Sequence, residues 1–198
     1  MASSIKAAFA RDNVVWLVAF LVAILHIGTA GRYDAQRNEL YFLVCGWHPD
    51  FGYVDQPQLV PLIAPATQIF GVNIWLLRLP ATIAAVGLVF ICAAFARLLG
   101  GKSRAASFAA IAAGIAPGLA ALTSHLTTST FEPIAWTATA FLLTRALLHD
   151  KRSDLVWLGA LAGLAMEAKW GLAVWLVALG MSAFGGKADI TNESAHVR

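Results

Sequence analysis

Charged and amide side chains recur near the ends of the apolar segments of this sequence, where they could act on a substrate at a membrane surface. A carboxylate there can accept or orient the proton of an attacking hydroxyl group. Arginine and lysine can stabilise a departing phosphate. Together they suit transfer from a lipid-linked phosphate donor to a polar acceptor. The candidates are Arg32, Arg37, Asn38, Glu39, His48, Asp50, Asp55, Arg78, His125, Glu132 and Lys169.

Several of these residues also have a simpler structural interpretation. Asp50 and Asp55 could be solvated loop charges, because loop acids are common. Glu132 directly precedes Pro133, so it could serve as the cap of the helix that follows. Lys169 lies between two apolar stretches, and extension of its side chain to the membrane interface competes with phosphate binding. The sequence contains no glycine-rich phosphate loop, glycine-flanked serine, Cys and His cluster or Asp-X-Asp motif.

The composition indicates an integral membrane protein. Of the 198 residues, 59% are hydrophobic and 13% are charged, which is too apolar for an ordinary soluble domain. Four apolar runs, at residues 14–30, 74–96, 105–123 and 133–148, approach the roughly 20 residues that cross a bilayer. A fifth, at residues 155–184, carries Glu167 and Lys169 near its middle, which predicts two short helices with a polar elbow. We expect an all-α bundle of about six spans.

Basic residues flank the apolar runs and predict the orientation of the chain. They are Lys6, Arg11, Arg97, Lys102, Arg104, Arg145, Lys151 and Arg152. The positive-inside rule makes their side the cytoplasm, so the N-terminus is cytoplasmic and residues 31–73 and 124–132 face outward. The formal charge is +3, but no basic stripe with interleaved aromatic residues is present, so we expect no nucleic acid partner.

The outward segment contains two helical patterns separated by a turn. Apolar residues recur at helical spacing over residues 40–47 and 59–70, which predicts helices lying in the membrane interface. The turn between them carries Asp50 and Asp55 among proline and glycine residues, and we expect the site there. Along the whole chain we expect a cytoplasmic N-terminus at residues 1–13, a transmembrane part at residues 14–184, and a polar, disordered tail at residues 185–198.

Three short segments and one lysine, taken in order, resemble the N-terminal part of the membrane glycosyltransferases of the GT-C superfamily. The resemblance is to family 39-like enzymes, which are related to protein O-mannosyltransferases and the lipid A aminoarabinose transferase. It extends from about residue 33 to residue 178, and its most specific part is Gly-Tyr-Val-Asp-Gln-Pro. The segments are Arg37-Asn38-Glu39-Leu40-Tyr41-Phe42, Gly52-Tyr53-Val54-Asp55-Gln56-Pro57, Phe131-Glu132-Pro133 and Lys169.

This resemblance implies a function and a set of site residues. The donor would be a polyprenyl-phosphate sugar and the acceptor a lipid, a glycan or a protein, with transfer at the periplasmic face of a bacterial inner membrane, among membrane lipids. A divalent metal could assist, but arginine and lysine can neutralise a monophosphate leaving group without one. The implied catalytic residues are Glu39, Asp55, Asn38 and Glu132, and the implied substrate-binding residues are Arg37, Tyr41, Gln56, His125, Arg78 and Lys169.

Two departures from the family pattern keep alternatives open. The family commonly has an Asp-Glu pair where this sequence has Asn38-Glu39, and an amide cannot act as a general base, so Glu39 or Asp55 would have to replace it. Such enzymes also continue through further spans, so we expect a truncated glycosyltransferase. The alternatives are an inactive remnant or assembly partner of such an enzyme, and a small transporter, which would place ionisable residues near the bilayer midplane.

Overall fold

The computed structural model describes residues 12–150, 152–178 and 180–181, and every regular element within them is a helix. The expected all-α class is therefore confirmed for this part of the chain, while the predicted tail at residues 185–198 lies outside it. The helices are α1 (Asn13–Ala30), α2 (Arg37–Trp47), α3 (Leu59–Ala66), α4 (Ile74–Leu98), α5 (Ser103–Ile115), α6 (Pro117–Thr123), a short 3₁₀ helix (Thr128–Phe131), α7 (Glu132–His149), α8 (Arg152–Met166) and α9 at residues 171–178.

Two of the described helices are long and apolar enough to cross a membrane. They are α1, with 18 residues, and α4, with 25 residues, and the bent pair α5 and α6 adds a third if it forms one span. The apolar helix α8 has 15 residues, fewer than the roughly 20 that cross the hydrocarbon core. The structure therefore supports a helical membrane protein, and the count of about six spans stays a prediction.

Two apolar segments are interrupted, and the first interruption has a local cause. Residues 105–123 form two helices that meet at an angle of 61°, a bend that the apolar pattern alone did not predict. Pro117 lacks an N–H group and disfavours helical geometry at the preceding residue, and Ala116 is indeed extended. The predicted elbow in residues 155–184 is confirmed, because α8 ends at Met166 and the chain is not helical at Lys169.

The helix α4 lies at the centre of the bundle and packs against α1, α5 and α7. Its contacts with α1 and α5 form a buried cluster in which alanine and valine predominate, and these small side chains let helices approach closely in a membrane. The cluster comprises Val15, Ala19, Val22, Ala85, Val89, Ala93, Ala106 and Ala110. The opposite face of α1 exposes large apolar side chains such as Leu17 and Phe20, as expected of a surface that faces lipid.

One end of the bundle is tied together by Asp12. Its carboxylate forms an ion pair with Arg97 and accepts a hydrogen bond of 2.6 Å from the Ser103 hydroxyl. These contacts bring the start of α1, the end of α4 and the start of α5 to the same end of the molecule. This arrangement agrees with the shared side that the basic residues predict for these three termini.

Replacing Ala110 with leucine should destabilise the bundle. Ala110 is fully buried between helices, so the larger side chain overpacks the contact and should lower the free energy of unfolding by about 1–3 kcal/mol. Thermal unfolding of the purified protein in detergent measures the effect. The control is Ala112→Leu on the exposed face of α5, which adds the same side chain without a packing conflict. Equal melting temperatures for the two variants would contradict the packing described here.

Candidate functional site

A cavity of about 420 Å³ lies among four segments of the chain. These are α2, the loop before α3, the 3₁₀ helix and the elbow between α8 and α9. The cavity therefore brings together residues 38–57 and the elbow, which are far apart in the sequence. Its lining residues are Asn38, Tyr41, Phe42, Asp55, Gln56, Pro57, Thr128, Lys169, Trp170 and Gly171.

Asp55 is an exposed acid at this cavity, and a tyrosine orients its carboxylate. The Tyr41 hydroxyl donates a hydrogen bond of 2.9 Å to Asp55 Oδ1. That bond, together with the nearby Cys45, raises the pKa of Tyr41, so the phenol stays protonated and remains a donor at physiological pH. The loop is held against the end of α2 because the Tyr53 hydroxyl donates to the carbonyl oxygen of Cys45 at 2.8 Å. Asp55 is thus held at the cavity by contacts with α2.

Gln56 brings an unused hydrogen-bond donor to the cavity wall. Its side chain is buried, and its Nε2 has no hydrogen-bond partner among the described residues. Buried polar groups nearly always have partners, so such an exception points to a role.

Lys169 contributes the positive charge of the cavity. Its Nζ donates hydrogen bonds to Glu132 Oε2 at 2.9 Å and to Ser129 Oγ at 2.8 Å. An ammonium group has three donors, so one remains for a ligand. Glu132 does not line the cavity, but it contacts the cation that does. The predicted site residues Glu132 and Lys169 therefore lie together.

Glu39 forms a buried ion pair with Arg78. Both Glu39 oxygens bind the Arg78 guanidinium, with Nε–Oε1 and Nη2–Oε2 distances of 3.0 and 2.8 Å. The backbone N–H groups of Gln36 and Leu126 also donate to this carboxylate, at 2.8 and 3.1 Å. Burial alone would raise the pKa of Glu39, but these hydrogen bonds outweigh it and hold the pKa below its usual range. The carboxylate is therefore ionised, fully engaged and inaccessible to a substrate.

Arg78 extends this ion pair to the end of α1. Its guanidinium donates to the carbonyl oxygens of Ala30, Tyr33 and Asp34, the last at 3.0 Å. With the bond from Leu126 to Glu39, the network joins the end of α1, α2, α4 and the loop that precedes the 3₁₀ helix. Of the joined segments, α2 lines the cavity directly, and the loop leads into the 3₁₀ helix whose Thr128 lines it. We therefore expect the pair to position the cavity walls.

The two other predicted binding residues lie away from the cavity lining. Arg37 is exposed at the start of α2. His125 Nδ1 lies 2.7 Å from the Ser124 hydroxyl oxygen. Burial lowers the pKa of His125, Arg78 lowers it further and Glu39 partly opposes the change, so this ring is uncharged at neutral pH.

The structure also places residues at the site that the sequence reasoning did not select. Thr128 and Ser129 belong to a run of hydroxyl residues just before Phe131-Glu132-Pro133, and Trp170 and Gly171 directly follow Lys169. Their proximity to segments already quoted for the resemblance was an available signal. Within the described part of the chain, no group of three or more His, Cys, Asp or Glu side chains could hold a metal ion.

Comparison with known proteins gives one family match. The family described as dolichyl-phosphate-mannose-protein mannosyltransferase matches residues 55–195, which is more than two thirds of the chain. Neither a curated protein nor a solved structure gives a significant match. The matched region includes Asp55, Gln56, Glu132 and Lys169.

Removing Arg78 should strongly destabilise the protein. Arg78→Met leaves the Glu39 charge buried without its partner, and such a change costs about 3–5 kcal/mol of unfolding free energy. The double variant Glu39→Gln/Arg78→Met should lose less than the sum of the two single variants, by about 1 kcal/mol or more. Denaturant unfolding in mild detergent measures all three. Arg37→Met removes an exposed arginine and serves as the control; strict additivity of the two single variants would contradict a coupled pair.

Proposed function

Because the chain belongs to the dolichyl-phosphate-mannose-protein mannosyltransferase family, a GT-C type of membrane glycosyltransferase, we propose that it transfers a sugar from a polyprenyl-phosphate donor to a hydroxyl group of a lipid, glycan or protein. The reaction takes place at the periplasmic face of a bacterial inner membrane. The observation that carries the proposal is that an acid, Asp55, and a cation, Lys169, line the same cavity. Transfer from a phosphate leaving group needs one of each sign.

Asp55 serves as the general base. The acceptor oxygen attacks the anomeric carbon of the sugar, and its proton passes to the Asp55 carboxylate. The bond between that carbon and the phosphate oxygen breaks, and its electron pair stays on the oxygen to give a polyprenyl phosphate. Asp55 is favoured over Glu39 for this role because its carboxylate is exposed to the cavity, whereas every described contact of Glu39 is with the protein interior.

Lys169 and Gln56 bind the donor. The Lys169 ammonium neutralises the negative charge that develops on the phosphate as the sugar departs. Rotation of the Gln56 side chain would bring its buried, unpaired amide to an oxygen of the donor, either on the sugar or on the phosphate. Asn38 lines the same cavity, and its amide can hold the acceptor hydroxyl although it cannot take the proton.

The helices around the cavity suit a site at the outer face of the membrane. The helices α2 and α3 expose apolar residues, among them Leu40, Val44 and Leu62, and we place both helices in the outer membrane interface. A lipid-linked donor could then enter the cavity from the bilayer. The N-terminus is cytoplasmic in this arrangement, because Asp12 and its partner Arg97 lie at the basic end of the bundle.

Replacing Asp55 with asparagine should abolish most of the transfer activity. An amide cannot accept the proton, so kcat should fall by about a hundredfold or more while KM for the donor changes little. Transfer from a short-chain polyprenyl-phosphate sugar, measured with the protein in detergent, tests this. The control is Asp50→Asn, a loop acid outside the cavity that accepts a hydrogen bond of 2.7 Å from the backbone of Phe51.

The comparison of these two variants decides the role of Asp55. Loss of transfer in Asp55→Asn alone supports the general base. Wild-type activity in both variants would rule Asp55 out as the base. An equal loss of activity in both variants would point to a disturbed loop instead.

Replacing Tyr41 with phenylalanine should reduce turnover more moderately. The change removes the hydrogen bond to Asp55, and a bond to a charged group contributes about 1.5–3 kcal/mol. Because only part of that energy orients the base, we expect kcat to fall about tenfold with the donor KM unchanged. The same transfer assay measures it. Tyr33→Phe, at an exposed tyrosine outside the cavity, is the control, and a Tyr41→Phe enzyme with normal kcat would show that Asp55 needs no orientation.

A further inference from the structure

The cation of the cavity is paired with an acid behind it. Lys169 Nζ and Glu132 Oε2 are 2.9 Å apart, and the side chains are 41% and 17% exposed, respectively. The lysine therefore faces the cavity while the glutamate is more deeply set. A ligand approaching Lys169 meets the field of both charges, because they are closer together than the Debye length of about 8 Å.

The position of Glu132 is built into the backbone. It is the first residue of α7 and is followed by Pro133, a place where the helix dipole favours negative charge. A Cβ atom at position 171 would lie 2.6 Å from Glu132 Oε1, so Gly171 leaves the space that the carboxylate occupies. The pairing is thus specific to this arrangement of α7 and the elbow.

The two lipid ligands of the proposed reaction, on which this inference rests, differ in charge. The donor is a phosphate diester with one negative charge, whereas the product is a monoester that carries close to two above its second pKa of about 6. A lone lysine would attract the product about twice as strongly as the donor, because Coulomb energy scales with the ligand charge. Such a site would release its product slowly.

We propose that Glu132 acts as a fixed counter-anion that lets the site release its dianionic product. Its negative charge offsets the positive charge of Lys169, so the site binds the monoester only slightly more tightly than the diester. Glu132 touches neither ligand and works through Lys169, so it is a positioning residue with an electrostatic effect. If it only held Lys169 in place, its removal would change the affinities of the two ligands together.

The test compares two probes at a pH of about 8, where a phosphate monoester is a dianion. They are a short-chain prenyl phosphate and its methyl diester, and binding to the full chain in detergent is measured by calorimetry. The wild-type protein should bind both with Kd values within roughly threefold of each other. Glu132→Gln keeps the shape of the side chain and should tighten the monoester roughly tenfold and the diester roughly threefold.

Two further variants complete the test. Gly171→Ala should displace the Glu132 carboxylate and shift the preference in the same direction while both charges remain, which covers the case in which Glu132→Gln folds poorly. Glu167→Gln removes an exposed acid of the elbow that does not line the cavity, and it should leave the ratio of the two Kd values unchanged.

The outcomes separate this inference from the proposed function. Equal tightening of both probes in Glu132→Gln, or no tightening, overturns the counter-anion role while the phosphate site stands. A Glu167→Gln variant that shifts the ratio as much as Glu132→Gln also overturns it, because the effect is then general. If the wild-type protein binds neither probe, the proposed function fails along with the inference.

Discussion

The buried ion pair between Glu39 and Arg78 is the constraint on which the cavity depends. Removing two charges from water is costly, so their hydrogen-bonding groups must find partners in the protein. Here both Glu39 oxygens and several Arg78 donors have partners. With Glu39 fixed on the inner face of α2, helical spacing directs Asn38, Tyr41 and Phe42 along a shared side. Those are the α2 residues that line the cavity.

The relative placement of the acid and the cation follows from the backbone. Asp55 lies in the loop before α3, and the backbone N–H of Leu59, the first residue of α3, donates to the carbonyl oxygen of Glu167 in the elbow at 2.9 Å. That elbow carries Lys169. A main-chain hydrogen bond thus ties the segment that carries Asp55, the proposed base, to the segment that carries Lys169, the proposed phosphate partner, and flexible side chains need not bridge the distance. The break between α8 and α9 makes this contact available, because a continuous helix would have engaged the carbonyl oxygen of Glu167 internally.

The sequence predicts much of the fold and part of the site. Long apolar runs located α1 and α4, helical spacing of apolar residues located α2 and α3, and the charged residues within the apolar 155–184 stretch predicted its elbow. Site residues within one segment, such as Asp55 and Gln56, were also predictable. What the sequence could not supply is the partner of each acid. Arg78 lies 39 positions from Glu39, and only the folded chain shows that it neutralises Glu39, while Asp55 forms no ion pair with any residue that the structure describes.

The partners of the three predicted site acids separate their roles. Glu39 binds a guanidinium and is buried, so its charge is committed to structure. Glu132 binds the ammonium of Lys169, and its proposed role is to adjust the field that a phosphate ligand would meet. Asp55 binds only the hydroxyl of Tyr41 among its described contacts. A neutral phenol orients a carboxylate without cancelling its charge, and an acid that keeps its charge beside a cavity can receive a proton from a substrate. Of the three acids, Asp55 is therefore the one whose contacts suit the proposed proton transfer.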